Sequence, residues 1–181
     1  MNLQVQHLAE LGSTNDYALE LVESGKINGD LAILADRQTH GRGRLNGRLW
    51  RSPEGNFYCS YVVRLDALGV DENKASLLTT TVMTALLQFL QKLTKSKRIQ
   101  LKLPNDIFVG GKKLAGVLVE VSYPYAIIGI GINLTAAPLE TSTSLQSEFG
   151  FAVKPPWLAE NFYPALREKL GNISLQERQD L

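Results

Sequence analysis

The chain has 181 residues, 44% of them apolar and 20% charged, with a net charge of +1. That length accommodates one sizeable α/β domain with its own core, and the charge gives no global attraction to nucleic acid or to a membrane surface. The single cysteine, Cys59, excludes an internal disulfide and fits a reducing cytoplasm, and no signal peptide or membrane-spanning apolar stretch is expected.

Weak alternation over Leu3–Leu8 predicts a first strand. Ser13-Thr14-Asn15-Asp16 supplies oxygens suited to a helix N-cap, and Tyr17, Ala18, Leu21 and Val22 follow at helical spacing up to Gly25. The apolar run Leu31–Ala35 and the β-branched, aromatic run Phe57–Val63 read as strands. A long helix is predicted from Asp71 to Thr94, with Leu78, Val82, Ala85, Leu86, Phe89 and Leu93 on its core face. Ile99–Leu103 reads as a strand stopped by Pro104. Ile107–Val109 and Leu114–Val121 flank Gly110-Gly111, a strong hairpin signal. Ala126–Ile132 is a further buried strand whose two glycines leave room for a close approach. Thr135–Gly150 is polar and reads as a loop with little structure. Pro155-Pro156 opens a last helix through Leu158, Phe162, Leu166 and Leu170, and residues 171–181 form a polar tail. Helices and strands in mixed succession with a clear hairpin predict an α/β or α+β domain with a mixed sheet.

Four segments carry candidate chemistry. Residues 37–51 hold five arginines, three glycines and no acid; such a loop suits an anionic ligand, because glycine permits close backbone approach and arginine offers permanently charged forks. Solvated surface loop and RNA contact are its rival readings, the latter calling for interleaved aromatics that are not obvious. Lys102-Leu103-Pro104-Asn105-Asp106 places hard oxygens suited to Mg²⁺ at a strand exit, though Pro-Asn-Asp is also an ordinary turn. In Lys112-Lys113-Leu114-Ala115-Gly116, strand alternation puts Lys113 on the face of Ala115, beside space for a ligand; the alternative is a pair of solvated hairpin charges. Asn133 ends a buried glycine-bearing strand, where its amide needs a hydrogen-bond partner, a ligand or a hydrated metal. No Ser-His-Asp pattern supports a hydrolase triad.

In this order, Ser13-Thr14-Asn15, Gly41-Arg42-Gly43-Arg44, Lys102-Leu103-Pro104-Asn105-Asp106, Lys113-Leu114-Ala115-Gly116 and Gly131-Ile132-Asn133 resemble the catalytic domain of biotin–protein ligases, over roughly residues 8 to 134. The resemblance implies the class II aminoacyl-tRNA-synthetase-like fold of that family over residues 1–170. It implies ATP-dependent formation of biotinyl-5′-AMP and transfer of biotin to a lysine of the biotin carboxyl carrier protein domain of acetyl-CoA carboxylase. It assigns Lys113 and Arg44 to catalysis. Ser13, Thr14, Gln38, Gly41, Arg44, Lys113 and Gly116 are assigned to biotin, and Arg42, Gly43, Trp50, Lys102, Asn105 and Asn133 to the nucleotide. Asp106 and Asn133 are assigned to Mg²⁺. A core role for Trp50, helix capping for Ser13 and Thr14, and a surface charge for Lys102 are the alternatives.

The chain departs from the family pattern in three ways. Leu103 replaces the usual Trp, which removes ring area from a pocket wall. Leu45-Asn46-Gly47 lengthens the loop by one residue. Neither a winged helix-turn-helix nor the SH3-like C-terminal domain of many relatives is expected, so no DNA-binding role is implied; a homodimer stays open. The competing functions are a lipoate or octanoate ligase of the same fold, whose Arg-Arg-x-x-Gly-Gly-Gly loop this chain lacks, and a non-catalytic biotin-binding protein.

Overall fold

The computed structural model describes residues 3–44 and 49–174. The lengthened part of the loop, Leu45-Asn46-Gly47, and the end of the polar tail from 175 to 181 lie outside the described residues. In chain order the elements are β1 (Gln4–Leu11), α1 (Thr14–Glu23), β2 (Leu31–Gln38), β3 (Phe57–Arg64), α2 (Ala75–Thr94), β4 (Ile99–Lys102), β5 (Asp106–Val109), β6 (Lys112–Ser122), β7 (Tyr125–Ile132), α3 (Leu145–Phe149) and α4 (Pro155–Asn172).

The strands form one seven-stranded sheet in the order β1-β2-β3-β7-β6-β5-β4. The β1–β2 pair is parallel and the other pairs are antiparallel, so the sheet is mixed, as the hairpin signals predict. Side chains alternate across a sheet, which divides its residues into two sets. Phe57, Cys59, Tyr61 and Val63 of β3 join Ala126, Ile128, Ile130 and Ile132 of β7 in the main core, together with α2 and α4. Phe162 of α4 meets Tyr61 and Phe89 edge to face, at centroid separations of 5.9 and 5.4 Å. The opposite set, Ile33, Val62 and Ile127, packs on Ala18 of α1 in a smaller cluster. A single ten-residue helix cannot cover seven strands, so part of the second face stays open.

Several local features differ from the sequence reading. The predicted helix at Asp71 begins with a 3₁₀ turn at 72–74, capped by the Asp71 carboxylate, before α2 proper. Leu103-Pro104-Asn105 forms the tip of the β4–β5 hairpin, since Lys102 pairs with Asp106. The polar segment 135–150 is ordered: Ser144 caps α3 by accepting from the Ser147 amide, Gly150 ends it in the left-handed region at φ +76°, and Leu145 is buried. α4 runs to Asn172 and Ile173 is buried, so the packed domain extends beyond residue 170. Gly110 and Gly111, at φ +56° and +80°, make the tight β5–β6 turn that only a pair of flexible residues adopts readily. No helix among the described residues is long and apolar enough to cross a membrane.

Candidate active site

The open part of the second face is built in rows across the sheet. Tyr58, Gly131, Gly116 and Asp106 are successive cross-strand neighbours on β3, β7, β6 and β5. Ser60, Gly129 and Leu118 form the next row, and Val62, Ile127 and Glu120 the third. The two central glycines of the first row have a steric reason. A Cβ on Gly131 would lie 2.6 Å from the Trp50 indole, and one on Gly116 would lie 2.9 Å from it and 3.3 Å from Lys113 Nζ. The room that the glycines leave is therefore filled by Trp50. In the second row a Cβ on Gly129 would collide with the Asn15 amide.

Lys113 reaches this face by a route that simple alternation does not predict. Phe108 pairs with Lys113 but Ile107 pairs with Ala115, so the register shifts and Leu114 is an extra residue on β6. The bulge puts Lys113 on the face of Gly116 and Asp106, not on the face of Ala115 as expected; Ala115 faces the main core. Lys113 Nζ lies 2.6 Å from Asp106 Oδ1 and 4.9 Å from the centroid of the Trp50 ring. Beyond the bulge, the Lys113 backbone bonds to Thr141 and Thr143, which docks the polar segment beside the site.

A cavity of about 550 Å³ opens here. It is lined by Ser13, Thr14, Gln38, Arg42, Gly43, Arg44, Trp50, Lys102, Asn105, Asp106, Lys113, Gly116 and Asn133, among others. Lys113, Arg42 and Arg44 thus meet at one hollow although far apart in sequence. Gly41 is not among the lining residues; it is closed in by the Trp50 carbonyl, Gln38 and Ser52, so its missing side chain makes room for the protein itself rather than for a ligand. Leu103, 71% exposed at the hairpin tip, also stands outside the lining, so the expected loss of a pocket wall there does not follow. Asn105 turns its amide to the Val117 carbonyl at 3.0 Å, and Lys102 Nζ sits 4.5 Å from the centroid of the Phe108 ring.

Polar side chains form a connected floor. Ser13 caps α1, weakly, by accepting from the Asp16 amide at 3.5 Å. Thr14 instead donates its N–H and hydroxyl to Gln38 Oε1, at 2.8 and 3.2 Å. Gln38 Nε2 donates to Ser52 Oγ, which donates to the Trp50 carbonyl. Ser60, fully buried, donates toward Thr14 Oγ1 at 2.8 Å and Asn15 Oδ1 at 2.5 Å. Asn133 donates to the Thr143 carbonyl at 2.9 Å, while its Oδ1 is buried without a hydrogen-bond partner among the described residues. Trp50 Nε1 is likewise buried without a hydrogen-bond partner among the described residues. Burial pushes the Tyr58 phenol up to about 12, partly offset by Asn56, and its hydroxyl donates to the Pro53 carbonyl. Burial raises the Cys59 thiol far more; it lies in the main core and is no nucleophile.

The sequence assigns Asn15 and Asp16 only to helix capping and to the opening motif, and gives no role to Ser60 or Glu120. One signal was available: Ser60 and Glu120 are lone polar residues within apolar strand runs, positions where an unpartnered polar group would be costly.

Residues 9–133 match the model of the Biotin/lipoate A/B protein ligase family. The biotin–[acetyl-CoA-carboxylase] ligase of Mycobacterium tuberculosis is 33% identical over 156 residues, 84% of this chain and 58% of that protein. The enzyme of the same name from Paracoccus denitrificans is 32% identical over 171 residues, 87% of this chain and 69% of that protein. The biotin protein ligase of Aquifex aeolicus, solved with biotin and ATP, superposes with a TM-score of 0.77 at 30% identity, covering 94% of this chain and 72% of that one. The chain spans little more than half the length of the Mycobacterium relative.

Proposed function

The chain belongs to the Biotin/lipoate A/B protein ligase family, and on that premise we propose that it is an ATP-dependent biotin–protein ligase. In the first half-reaction a biotin carboxylate oxygen attacks the α-phosphorus of ATP. The bond to the β-phosphate breaks, releasing pyrophosphate and leaving biotinyl-5′-AMP. In the second, a lysine amine of the carrier attacks the anhydride carbonyl; AMP leaves and the amine loses a proton. The proposed acceptor is the biotin carboxyl carrier protein domain of acetyl-CoA carboxylase. The proposed compartment is the cytoplasm, in keeping with a lone buried cysteine.

The observation that carries this reading is the meeting of Lys113, Arg42 and Arg44 at one cavity floored by hydrogen-bonding side chains. Lys113 stands between the two reacting anions, draws them together and offsets the charge that builds during in-line attack. Its ammonium is already held on this face by the Asp106 carboxylate. Arg44 shares the carboxylate and phosphate oxygens. Ser13, Thr14 and Gln38 offer the donors and acceptors that a ureido ring needs, and Gly116 lines the same cavity, its missing side chain letting the Trp50 indole lie against the strand. Arg42, the Gly43 backbone, Trp50, Lys102, Asn105 and Asn133 surround the nucleotide.

Asn133 Oδ1, buried without a hydrogen-bond partner among the described residues, and the Asp106 carboxylate are hard oxygen donors that fit Mg²⁺. Among the described residues no three His, Cys, Asp or Glu side chains cluster, so the ion would keep mostly water and phosphate oxygens around it. When bound, it supplies further neutralisation of phosphate charge.

ATP–pyrophosphate exchange tests the assignment, with biotin, lipoate and octanoate offered singly. Biotin-dependent exchange is expected, and Lys113→Ala should lower it by about 10²–10³. Exchange driven by lipoate or octanoate instead would reassign the acyl substrate. Biotin binding without exchange would make the protein a sensor.

A further inference from the structure

We propose that Glu120 is a positioning residue of the site, acting through Arg42 to set the direction of its guanidinium. Arg42 Nη2 donates to Glu120 Oε1 and Oε2 at 3.0 and 2.7 Å. Arg42 Nε lies 2.7 Å from Asp16 Oδ1, an ion pair that is close but not aligned as a hydrogen bond. Two carboxylates from two elements, β6 and α1, thus hold two of the three guanidinium nitrogens of Arg42, which lines the cavity. Partial burial disfavours the charged guanidinium, but Glu120 and Asp16 outweigh it and hold the Arg42 pKa above the ordinary value.

Glu120 is itself fixed. Its Oε2 accepts from Asn15 Nδ2 at 2.7 Å, and Asn15 accepts from Ser60, which also reaches Thr14. From Thr14 the contacts continue through Gln38 and Ser52 to the Trp50 carbonyl. Arg42 and Trp50, near the two ends of the glycine-arginine loop, are therefore tied to one polar floor with Glu120 at its far end.

Electrostatics decides what Glu120 is for. A carboxylate beside an anion-binding arginine subtracts from the potential that attracts phosphate, so Glu120 does not serve ground-state attraction. What it supplies is orientation, which acts where the reacting groups must be aligned. Removing its charge should therefore lower kcat without raising the KM for ATP.

The inference rests on the ligase reading, and the wild-type exchange assay separates the two. No acid-dependent exchange by the wild type would remove both. Given wild-type exchange, Glu120→Gln should lower kcat about tenfold, the scale of one charge-assisted hydrogen bond, with the KM for ATP not raised. In an Arg42→Ala background the same change should have no further effect, because the residue it positions is gone. Equal losses in both backgrounds, an unchanged kcat, or a loss confined to KM would each overturn the proposal. Should Glu120→Gln fail to fold, Glu120→Asp carries the same cycle, since it keeps the charge but draws the carboxylate back from Arg42 by one methylene.

Discussion

Single residues at this site are chosen by what touches them. Gly131 and Gly116 are glycines because Trp50 lies on them, and Gly129 because Asn15 does. This makes Gly131→Ala informative. Its methyl group would enter the space of the Trp50 indole, 2.6 Å from two ring atoms. The indole should be displaced toward solvent. In a Trp157→Phe background, which leaves Trp50 as the chain's sole tryptophan, its fluorescence should shift to longer wavelength and ligand affinity should fall. An unshifted spectrum would mean that the indole does not rest on this strand in solution. Lys113 illustrates a second kind of choice: the residue type suits the chemistry, but its direction comes from the bulge at Leu114.

At the level of elements, the site depends on where strands end. β7 stops at Ile132, and Asn133 follows directly into the cavity. The turn after it is held by Asn56, buried just before β3. Asn56 Oδ1 accepts from the backbone N–H groups of Leu134, Thr135 and Ala136, and its Nδ2 donates to the Ala136 carbonyl. One side chain thus satisfies a whole turn. Asn56→Ala should destabilise the fold by about 1–3 kcal/mol, because it leaves the buried Leu134 amide without its acceptor and removes two further bonds at the turn. Asn56→Asp keeps an acceptor and should lose less. Urea midpoints of the two variants check the order; equal loss would show that the acceptor is not what matters.

Across the whole molecule, the two faces of the sheet divide the labour. One is sealed by α2 and α4 and holds the main core; the other is partly covered by α1 and carries the cavity. The sealed side includes buried phenols. Burial pushes Tyr163 up to about 12, helped by its hydrogen bond to the Asp30 carboxylate, which also receives Arg167 of α4. Tyr58, on the cavity side, stands at about 12 as well. Both values exceed the ordinary 10.0, so folding favours the neutral phenols. The stability they contribute is complete below pH 10 and is lost as pH rises toward 12. The urea midpoint should hold near pH 8 and fall by pH 11. A midpoint unchanged over that span would mean that these phenols are hydrated in the native state.

Apolar runs and helical spacing locate β2, β3, β7 and the faces of α2 and α4, because burial of such side chains is a local pattern, whereas the mostly exposed β1 leaves only a weak alternation. The glycine pair at 110–111 fixed a hairpin for the same reason: its backbone requirement lies within two residues. The candidate site residues were legible as motifs, and their meeting at one cavity was an expectation that needed coordinates to test. Residues 135–144 form the expected loop, but the short α3 after it is not legible, because the segment is docked by backbone bonds to Lys113 and Asn133, partners that lie outside it. The face of Lys113 depended on a one-residue register shift, and the partnership of Arg42 with Glu120 on pairing between α1, β6 and a loop. Local chemistry is written in the order of residues, whereas which charge faces which is settled only when strands choose their neighbours.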